Sequence, residues 1–581
     1  MASLVIMKAS TLKGVWTQGI IPLAVLSVYF FAFSLILSWA SPEYPRNVNA
    51  VFVERAGKYS LMLTAVALLI YVVFGKAETA AKPILKHRGE KLSPGDLLLV
   101  LLPIAPVVQH IINNQDILSP SGSLYVLAVF LVLSLLLVIV IPGLLGRVGS
   151  TKTLMLLGMT FGFFLTNMAS FSARYNWLEE GSLKTQLLLF CAIFLTGWLL
   201  YRNLIGRKFL YSFVAVFFAV NTLVQFVPEE RTETVKSIDS ENRLTALIGS
   251  ATPPVAPNIY LLVYDAYVIN ETMLEYGIDN SDQEEYLKTK GFTIYPRTYS
   301  VGAYSVSTMS RTLNVSREYY GDARRGVSGD GTVQNLLRSF GYEVYGIFRR
   351  DYFFRGIGSS YDFSFPAEQA THKLLAKAIL MGEFRFDVEF DSPSPEQFRE
   401  YTLRTFENIS HRPRFVYMHN CLPGHSQNSG KCLPDETELF RERLIAANYQ
   451  MREDIDTITL NDPGAIVIVA GDHGPYLTKN CYITRGHYDI SEITRLDIQD
   501  RFGTFLAIKW PTEGFTEYDS ITVHQDIFPA IFAYLFQDRR LLSARIETST
   551  FNRHMVSGAA VKNGIILGGI NDGEPLFLSR D

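Results

Sequence analysis

The chain divides near residues 228–231 into an almost continuously apolar N-terminal part and a C-terminal part in which apolar and polar segments alternate. A membrane-spanning helix needs about 20 apolar residues, with a range of roughly 17 to 25. Seven segments approach this requirement, and they cover residues 15–39, 59–74, 96–112, 123–145, 153–171, 185–201 and 208–226. The second segment is short and the third contains two prolines, so five spans remain the alternative count.

The loops between these segments differ in charge. Loop 76–91 contains five lysines and arginines, whereas loop 113–122 contains none. Basic loops stay in the cytoplasm, so the N-terminus is predicted to be cytoplasmic. An odd number of spans then places everything after residue 226 outside. We therefore expect a multi-pass protein of the plasma or inner membrane with an extracytoplasmic, periplasmic C-terminal domain.

The length and the charge limit the classes of function. A chain of 581 residues is too long for one core, so we expect at least two domains. They are a transmembrane helical domain over residues 1–227 and an extracytoplasmic domain over residues 257–581, joined by a linker at 228–256. The net charge of −3, from 53 basic and 56 acidic residues, gives no electrostatic reason to expect nucleic acid as a partner.

The C-terminal part alternates between short apolar strands and amphipathic helices, which favours an α/β sheet with helices on both faces. The predicted strands are 259–264, 343–348, 415–419, 465–470 and 504–509, and the predicted helices are 282–290, 332–340, 394–409 and 436–460. In such folds ligands bind beyond the carboxyl ends of the strands.

Chemically active side chains follow three of these strands. Asp265 follows the first, His419 and His425 follow the third, and Asp472 and His473 follow the fourth. Two separate strand ends therefore bring carboxylates and an imidazole to one edge of the sheet. We expect Asp265, Asp472 and His473 to bind one divalent cation. A mixed carboxylate and imidazole set suits Zn²⁺ or Mn²⁺ better than Ca²⁺, which prefers oxygen alone.

The order of segments 258–267, 291–313, 415–425 and 471–487 resembles the alkaline-phosphatase/sulfatase superfamily. It is most similar to the membrane-anchored branch that contains lipoteichoic-acid synthases and phosphoethanolamine transferases. The resemblance implies a sulfatase-like α/β sandwich domain behind membrane helices. It also implies a metal-dependent hydrolase or transferase of phosphate or sulfate esters, acting at the lipid bilayer on a lipid-linked or cell-surface glycan substrate.

The same resemblance assigns roles to individual residues. It makes Asp265, Asp472 and His473 the metal ligands, and it directs His425 and His487 at the group that is transferred. In the family a Thr, Ser or modified Cys begins a helix, and its oxygen both binds the metal and attacks the ester. In the register of this sequence that position is Gly302, which has no nucleophilic atom.

Three interpretations of this departure stay open. Ser305, or less favourably Ser300, supplies the hydroxyl group. A metal-bound water attacks directly, without a covalent intermediate. In the third interpretation the domain is catalytically inactive, and it binds or scaffolds components of the cell envelope. We place Ser305 in the predicted catalytic set with His425 and His487. A transporter is disfavoured because few charged residues interrupt the apolar segments.

Two further groups of residues have open roles. Cys421 and Cys432 flank a loop, so they form a disulfide in an oxidising compartment or remain free thiols. Four arginines are candidates for binding an anionic ester through bidentate hydrogen bonds, and they are Arg297, Arg311, Arg349 and Arg350.

Overall fold

The computed structural model of the protein describes residues 19–40, 48–75, 92–113, 120–146, 148–174, 183–224, 235–236, 242–320, 322–355, 357–367, 393–408, 411–426, 432–481 and 488–578. They form two compact units, of which one ends by residue 230 and the other begins with residue 231. The first unit is helical, and the second combines helices with a sheet.

Helices cover each of the seven apolar segments. They are α1 (Ile21–Ala40), α2 (Val48–Gly75), a 3₁₀ segment (Pro94–Val100) that continues into α3 (Leu101–Asn113), α4 (Pro120–Leu135), which continues through a π-helical turn into α5 (Ile141–Leu145), α6 (Thr151–Arg174), α7 (Leu183–Arg202) and α8 (Leu204–Val224).

Fewer of these helices satisfy the length and composition of a membrane span. Among the described residues two stretches do so, Pro94–Ile112 and Ser121–Leu145. A third is added if Leu187–Arg202 and Leu204–Val216, which meet at a bend of 118°, form one span. The third apolar segment, residues 96–112, is thus one of these two stretches, although its two prolines made it a weak candidate for a span in the sequence. The count of seven spans and the orientation of the N-terminus stay predictions.

The helices of the first unit pack closely. A Cβ atom on Gly158 of α6 would lie 2.0 Å from the carbonyl oxygen of Leu137, so only glycine permits this approach. Small residues at such contacts are typical of helix packing in membranes. A buried carboxylate adds a polar contact, since Asp96 accepts hydrogen bonds from the Tyr201 and Tyr211 hydroxyl groups at 2.7 and 2.5 Å.

The second unit is built on a seven-stranded sheet in the order β3-β9-β8-β2-β7-β5-β6. The strands are β2 (Ile259–Tyr264), β3 (Phe292–Ile294), β5 (Glu343–Phe348), β6 (Phe363–Phe365), β7 (Arg414–Asn420), β8 (Ile466–Gly471) and β9 (Leu506–Lys509). The central strands β8, β2, β7 and β5 are parallel, and β9 pairs antiparallel with both β8 and β3. The five strands predicted from the sequence are confirmed.

The helices of this unit are α9 (Arg243–Ile248), α10 (Asn270–Glu275), α11 (Ser281–Thr289), α12 (Ser305–Asn314), α13 (Thr332–Ser339), α14 (Pro395–Glu407), α15 (Glu436–Asn461), α16 (Arg495–Phe502) and α17 (Ile527–Phe536). Two short strand pairs lie outside the sheet: β1 (Val235–Lys236) with β4 (Tyr319–Tyr320), and β10 (Ala560–Lys562) with β11 (Ile565–Leu567). Four of these helices fall within a few residues of the predicted ones. Leu244 and Ile248 of α9, in the segment predicted as a linker, are buried in the core.

The sheet separates two apolar cores. Alternate residues of β2 face opposite sides, so Tyr260 and Leu262 belong to one core, and Leu261 and Val263 belong to the other. All six residues of β2 and of β8 are buried. Burial on both faces explains why these strands are almost continuously apolar in the sequence. The position of their carboxyl ends is fixed by this packing.

One disulfide joins two loops of the second unit. It links Cys432 to Cys481, whose Cα atoms are 5.1 Å apart, and Cys421 is free. Neither alternative from the sequence holds, since Cys432 is not a free thiol and pairs with Cys481 rather than with Cys421. Cys432 lies just before α15, and Cys481 lies ten residues after β8. The short sequence distance between Cys421 and Cys432 did not show which loops meet in the fold. Disulfides persist in oxidising compartments, which agrees with an extracytoplasmic location for this unit.

Removal of this disulfide is expected to destabilise the second unit. It closes a loop with a sequence separation of 49 residues, for which the loss of chain entropy corresponds to about 4 kcal/mol. Cys432→Ser should therefore lower the thermal midpoint of the purified protein, whereas Cys191→Ser, which changes an exposed free thiol, should not. Peptide mapping without reduction should recover Cys432 joined to Cys481, and recovery of Cys421 joined to Cys432 would contradict the assigned pairing.

Candidate metal centre and active site

The strand register brings the predicted metal ligands to one edge of the sheet. Tyr264, the last residue of β2, pairs with Asn420 of β7 and with Gly471 of β8. Asp265 follows β2 and Asp472 follows β8, so the two carboxylates leave adjacent strands at the same level. Because both strands are buried and parallel, this arrangement places the side chains beyond their carboxyl ends, as expected for ligand sites in such sheets.

Asp265, Asp472 and His473 form a compact cluster. The Nε2 atom of His473 lies 3.3 Å from Oδ1 of Asp265 and 3.5 Å from Oδ2 of Asp472. One ligand atom from each of the three residues lies within 4.8 Å of the others. These two distances exceed metal–ligand bond lengths of about 2 Å and leave room for a cation between the three side chains.

The hydrogen bonds of the cluster leave the inward-facing atoms unused. Oδ1 of Asp472 accepts hydrogen bonds from the backbone N–H groups of Ala266 and His473, at 3.0 and 3.1 Å. Oδ2 of Asp472 and Oδ1 of Asp265 are buried without a hydrogen-bond partner among the described residues. Nδ1 of His473 donates to the carbonyl of Gly474 at 2.8 Å, which leaves the Nε2 lone pair facing the two carboxylates.

The electrostatics of the cluster also favour a cation. Burial, and then the negative charge of Asp472, raise the pKa of the Asp265 carboxyl well above its usual value. Burial lowers the pKa of His473 to about 4, so its imidazole is neutral near pH 7. A divalent metal ion binds deprotonated carboxylates and a neutral imidazole, which this site provides. Without a cation, two carboxylate charges buried side by side are unfavourable. The residues present therefore fit Zn²⁺ or Mn²⁺.

Ser305 lies against this cluster. It is the first residue of α12, and its Oγ atom lies 3.3 Å from Nε2 of His473. The first N–H groups of a helix have no acceptor within the helix and carry partial positive charge, so this position favours an anion. The structure thus brings a hydroxyl group, two carboxylates and an imidazole together at one point. Of the two serines considered in the sequence, it is Ser305 that reaches the cluster.

Ser300 and Gly302 support the loop rather than the site. Oγ of Ser300 lies 2.8 Å from Oγ1 of Thr308 and accepts a hydrogen bond from the Gly302 N–H at 3.0 Å. A Cβ atom on Gly302 would lie 2.5 Å from the carbonyl carbon of Ser307 and from the nitrogen of Thr308. Gly302 is therefore the point at which the loop passes against the first turn of α12, and no side chain fits there.

The cluster opens into a cavity of about 530 Å³. Its lining residues are Asp265, Tyr304, Ser305, Phe348, Arg349, Arg350, Tyr352, Phe353, His419, Cys421, His425, His473, Tyr476, Arg501 and Met555. The ring of His425 lies 5.6 Å from that of His473, measured between centroids. Nδ1 of His425 donates to the Ser426 carbonyl at 2.5 Å, so its Nε2 atom is a hydrogen-bond acceptor. Burial lowers the pKa of this imidazole below its usual value.

Several lining residues were not in the predicted site set. Nε2 of His419 lies 3.6 Å from Oδ2 of Asp472, and its position at the end of β7 was the available sequence signal. The guanidinium of Arg501 stacks 3.6 Å above the ring of Tyr476 and donates to the backbone carbonyl of Asn480. Arg501, in the last turn of α16, neither follows a strand nor belongs to a motif, and Tyr476, which follows β8 within segment 471–487, was not singled out as a site residue.

The remaining predicted residues have different positions. His487 lies outside the described residues. Arg349 and Arg350 line the cavity, whereas Arg297 and Arg311 do not. Arg297 is exposed. Arg311 is buried, with its guanidinium between the rings of Tyr319 and Phe551. Arg349 and Arg350 therefore remain candidates for binding an anionic ester in this cavity, whereas Arg297 and Arg311 lie outside its lining.

Comparisons with known proteins gave matches only among solved structures. No family model matches the chain, and no curated protein matches it. The C-terminal periplasmic domain of EptC from Escherichia coli, solved in complex with Zn, matches at 11% identity and a TM-score of 0.34. That match covers 54% of this chain and 97% of the EptC chain.

The names of two further matches describe a membrane protein and an envelope protein. The integral membrane protein lipooligosaccharide phosphoethanolamine transferase A (EptA) from Neisseria meningitidis matches at 12% identity and a TM-score of 0.35, over 90% of this chain and 98% of EptA. The lipoteichoic acid synthase LtaP from Listeria monocytogenes matches at 12% identity and a TM-score of 0.34, over 57% of this chain and 88% of LtaP. These names belong to the branch that the sequence motifs resemble. TM-scores below 0.5 do not establish a shared fold.

Substitution of Gly302 is expected to disturb the site without removing any of its chemical groups. Gly302→Ala introduces a Cβ atom into the backbone of residues 307 and 308, and overpacking of this kind costs about 1–3 kcal/mol. Gly464→Ala is the matched control, since no heavy atom lies within 4 Å of its Cβ position. Thermal unfolding of both variants tests this. Equal midpoints for the two would show that the loop is not constrained as described.

Proposed function

We propose that this protein is a membrane-anchored, divalent-metal-dependent enzyme that transfers a phosphate-ester group on a lipid-linked or cell-surface envelope substrate. The proposed nucleophile is Ser305, and the proposed metal ligands are Asp265, Asp472 and His473. The observation that carries the proposal is the position of the Ser305 Oγ atom, 3.3 Å from His473 Nε2 and at the mouth of a cluster with two unpartnered carboxylate oxygens.

The proposed chemistry begins at Ser305. A bound divalent ion would polarise the ester oxygen and favour the alkoxide form of a neighbouring hydroxyl group. The Ser305 Oγ atom attacks phosphorus, a bond forms between Oγ and phosphorus, and the bond from phosphorus to the leaving oxygen breaks. The positive end of α12 lies beside the charge that develops on the phosphoryl oxygens. The proton that the Ser305 hydroxyl loses ends on the leaving oxygen, so the products of this step are a phosphoseryl enzyme and a free alcohol.

His425 suits the second step of this sequence. Its Nδ1–H is engaged by the Ser426 carbonyl, so Nε2 presents a lone pair, and burial keeps the ring neutral near pH 7. In the proposal Nε2 accepts the proton of the incoming alcohol as that oxygen attacks the phosphoserine. The bond between phosphorus and the Ser305 Oγ atom then breaks, the proton held by His425 Nε2 passes to that Oγ atom, and the new ester leaves. A water molecule in place of the alcohol gives hydrolysis, so the same residues support both outcomes.

The compartment of the proposed reaction is the outer face of the membrane. The disulfide between Cys432 and Cys481 lies in the unit that carries the cavity, and it requires an oxidising environment. The charge difference between loops 76–91 and 113–122 supports the same orientation. An enzyme on that side depends on the energy of an existing ester, which the transfer mechanism conserves in the phosphoseryl bond.

Metal binding provides the first test. The full-length protein, purified in detergent, is expected to contain about one Zn or Mn ion per chain by elemental analysis, because three ligands converge on one point. Asp472→Ala should lose that ion, since it removes a buried ligand. Asp282→Ala, which removes an exposed carboxylate outside the cavity, should keep it. Metal-free wild-type protein that cannot be reloaded would remove the basis of the proposal.

The nucleophile provides the second test. On aryl phosphodiester substrates, Ser305→Ala is expected to lower kcat by about 10³-fold or more, because the covalent step is lost. Ser491→Ala, which changes an exposed serine outside the cavity, should leave kcat unchanged. Mass spectrometry of wild-type protein quenched during turnover should find the transferred group on Ser305.

The other outcomes of this experiment separate the competing mechanisms. Full activity in Ser305→Ala would favour direct attack by water. Loss of activity in Ser300→Ala, together with the transferred group on Ser300 of the wild-type protein, would identify Ser300 as the nucleophile instead. An absence of metal-dependent turnover on phosphate and sulfate esters alike would favour a binding or scaffolding role, and turnover on sulfate esters alone would change the assigned ester class.

A further inference from the structure

The cavity beside the candidate metal cluster is also lined by two adjacent arginines. Arg349 and Arg350 directly follow β5, whose last residue, Phe348, pairs with His419 of β7. In the sheet order, β7 separates β5 from β2, the strand that ends at Asp265. Neighbouring strands lie about 4.8 Å apart, so the two arginines leave the sheet roughly 10 Å from the metal cluster. Their side chains extend over part of that distance.

These guanidinium groups lack anionic partners among the described residues. The Nη1 atom of Arg349 is buried and has no hydrogen-bond partner there. No salt bridge within 4.0 Å joins either arginine to a described carboxylate, and the nearby Glu396 is fully exposed and acts on Arg349 only through the electrostatic field. A buried, unpaired N–H of a charged group is costly, so a ligand acceptor at this position is expected.

The neighbours of these arginines do not supply that negative charge. Cys421 lies beside them, but burial raises the pKa of its thiol to about 12, so the thiol is neutral. Asp265 lies in the cavity lining and acts on Arg350 through the electrostatic field, but it also belongs to the candidate metal cluster, where a bound cation would balance its charge. Arg501, the third arginine of the lining, already donates to Asn480 and stacks on Tyr476. Among the described arginines of the lining, it is therefore Arg349 and Arg350 whose guanidinium groups are not engaged by a hydrogen-bond acceptor.

We infer that the substrate carries a second anionic group, about 5–10 Å from the reacting ester, that binds Arg349 and Arg350. The substrate class is thus a phosphate ester whose next unit bears a further phosphate, sulfate or carboxylate, rather than an ester with a neutral or cationic head group. This inference rests on the proposed function for the identity of the reacting ester. Guanidinium groups suit the role because they bind planar anions through two parallel hydrogen bonds.

Binding of matched phosphonates to the full-length, zinc-loaded protein in detergent tests the inference without requiring turnover. Butylphosphonate has one anionic group, 4-phosphonobutyrate adds a carboxylate, and butane-1,4-diphosphonate adds a second phosphonate. By calorimetry, wild-type protein is expected to bind the two longer anions at least about tenfold more tightly than butylphosphonate, as one charge-assisted hydrogen-bonded pair provides. The ratio of the affinities for 4-phosphonobutyrate and butane-1,4-diphosphonate shows which second anion the arginines prefer.

Substitution of the arginines assigns the effect. The affinity ratio of interest is that of each probe with a second anionic group to butylphosphonate. Arg349→Gln and Arg350→Gln should reduce this ratio toward one. Arg297→Gln, which changes an exposed arginine outside the cavity, should preserve it. Arg350 is exposed, so its variant keeps the test valid if Arg349→Gln does not fold. A wild-type ratio near one, or an unchanged ratio in Arg350→Gln and in folded Arg349→Gln, would overturn the inference.

The calorimetric readout keeps this inference separate from the proposed function. If no ester is turned over but the ratio depends on Arg349 and Arg350, the proposed activity fails while the bisanionic ligand site stands. If esters are turned over through Ser305 but the ratio is near one in wild-type protein, the activity stands and the second anionic group is excluded.

Discussion

The site depends on the repulsion between two buried carboxylates that leave adjacent strands. Asp265 and Asp472 follow β2 and β8 at the same level, and the packing of both strands on two apolar cores prevents them from moving apart. Burial, and then the charge of Asp472, raise the pKa of Asp265. Without a counter-ion, such a pair destabilises the folded state, and a divalent cation converts the same repulsion into binding energy. The register of the central strands thus places the two carboxylates where the proposed metal would bind.

Close packing also places Ser305, the proposed nucleophile. Gly302 lets the loop before α12 lie against residues 307 and 308, and the Ser300 hydroxyl holds that loop through Thr308 and the Gly302 N–H. These contacts fix where α12 begins, and Ser305 begins it. A side chain at position 302 would push the helix start away from His473. The glycine that seems to remove the nucleophile from the sequence is therefore part of what positions the serine three residues later.

The sequence predicts the parts of this site that depend on local pattern. Long apolar runs followed by Asp or His predicted β2 and β8 and their metal ligands, because burial on both faces leaves no alternative to a central strand. The attacking group was left open between Ser305, Ser300, a metal-bound water and an inactive domain, and the sequence did not show where α12 begins, since the tertiary contact of Gly302 sets its start rather than helix propensity. The disulfide was left open between a Cys421–Cys432 pair and free thiols, and the observed pair was missed because Cys481 joins Cys432 only through the fold. Arg501 carried no pattern at all, being one polar residue at the end of an ordinary helix.

The charge distribution of the cavity connects the metal cluster to the choice of substrate. If a divalent ion balances Asp265 and Asp472, as proposed, the three arginines of the lining leave the cavity with a net positive charge. The apolar side chains of Phe348 and Phe353 lower the local dielectric and lengthen the reach of that charge. A single phosphodiester supplies one negative charge, which does not neutralise such a cavity. A substrate with several anionic groups does so, and its affinity should weaken as salt screens the outermost arginine, Arg350, before it affects the buried cluster.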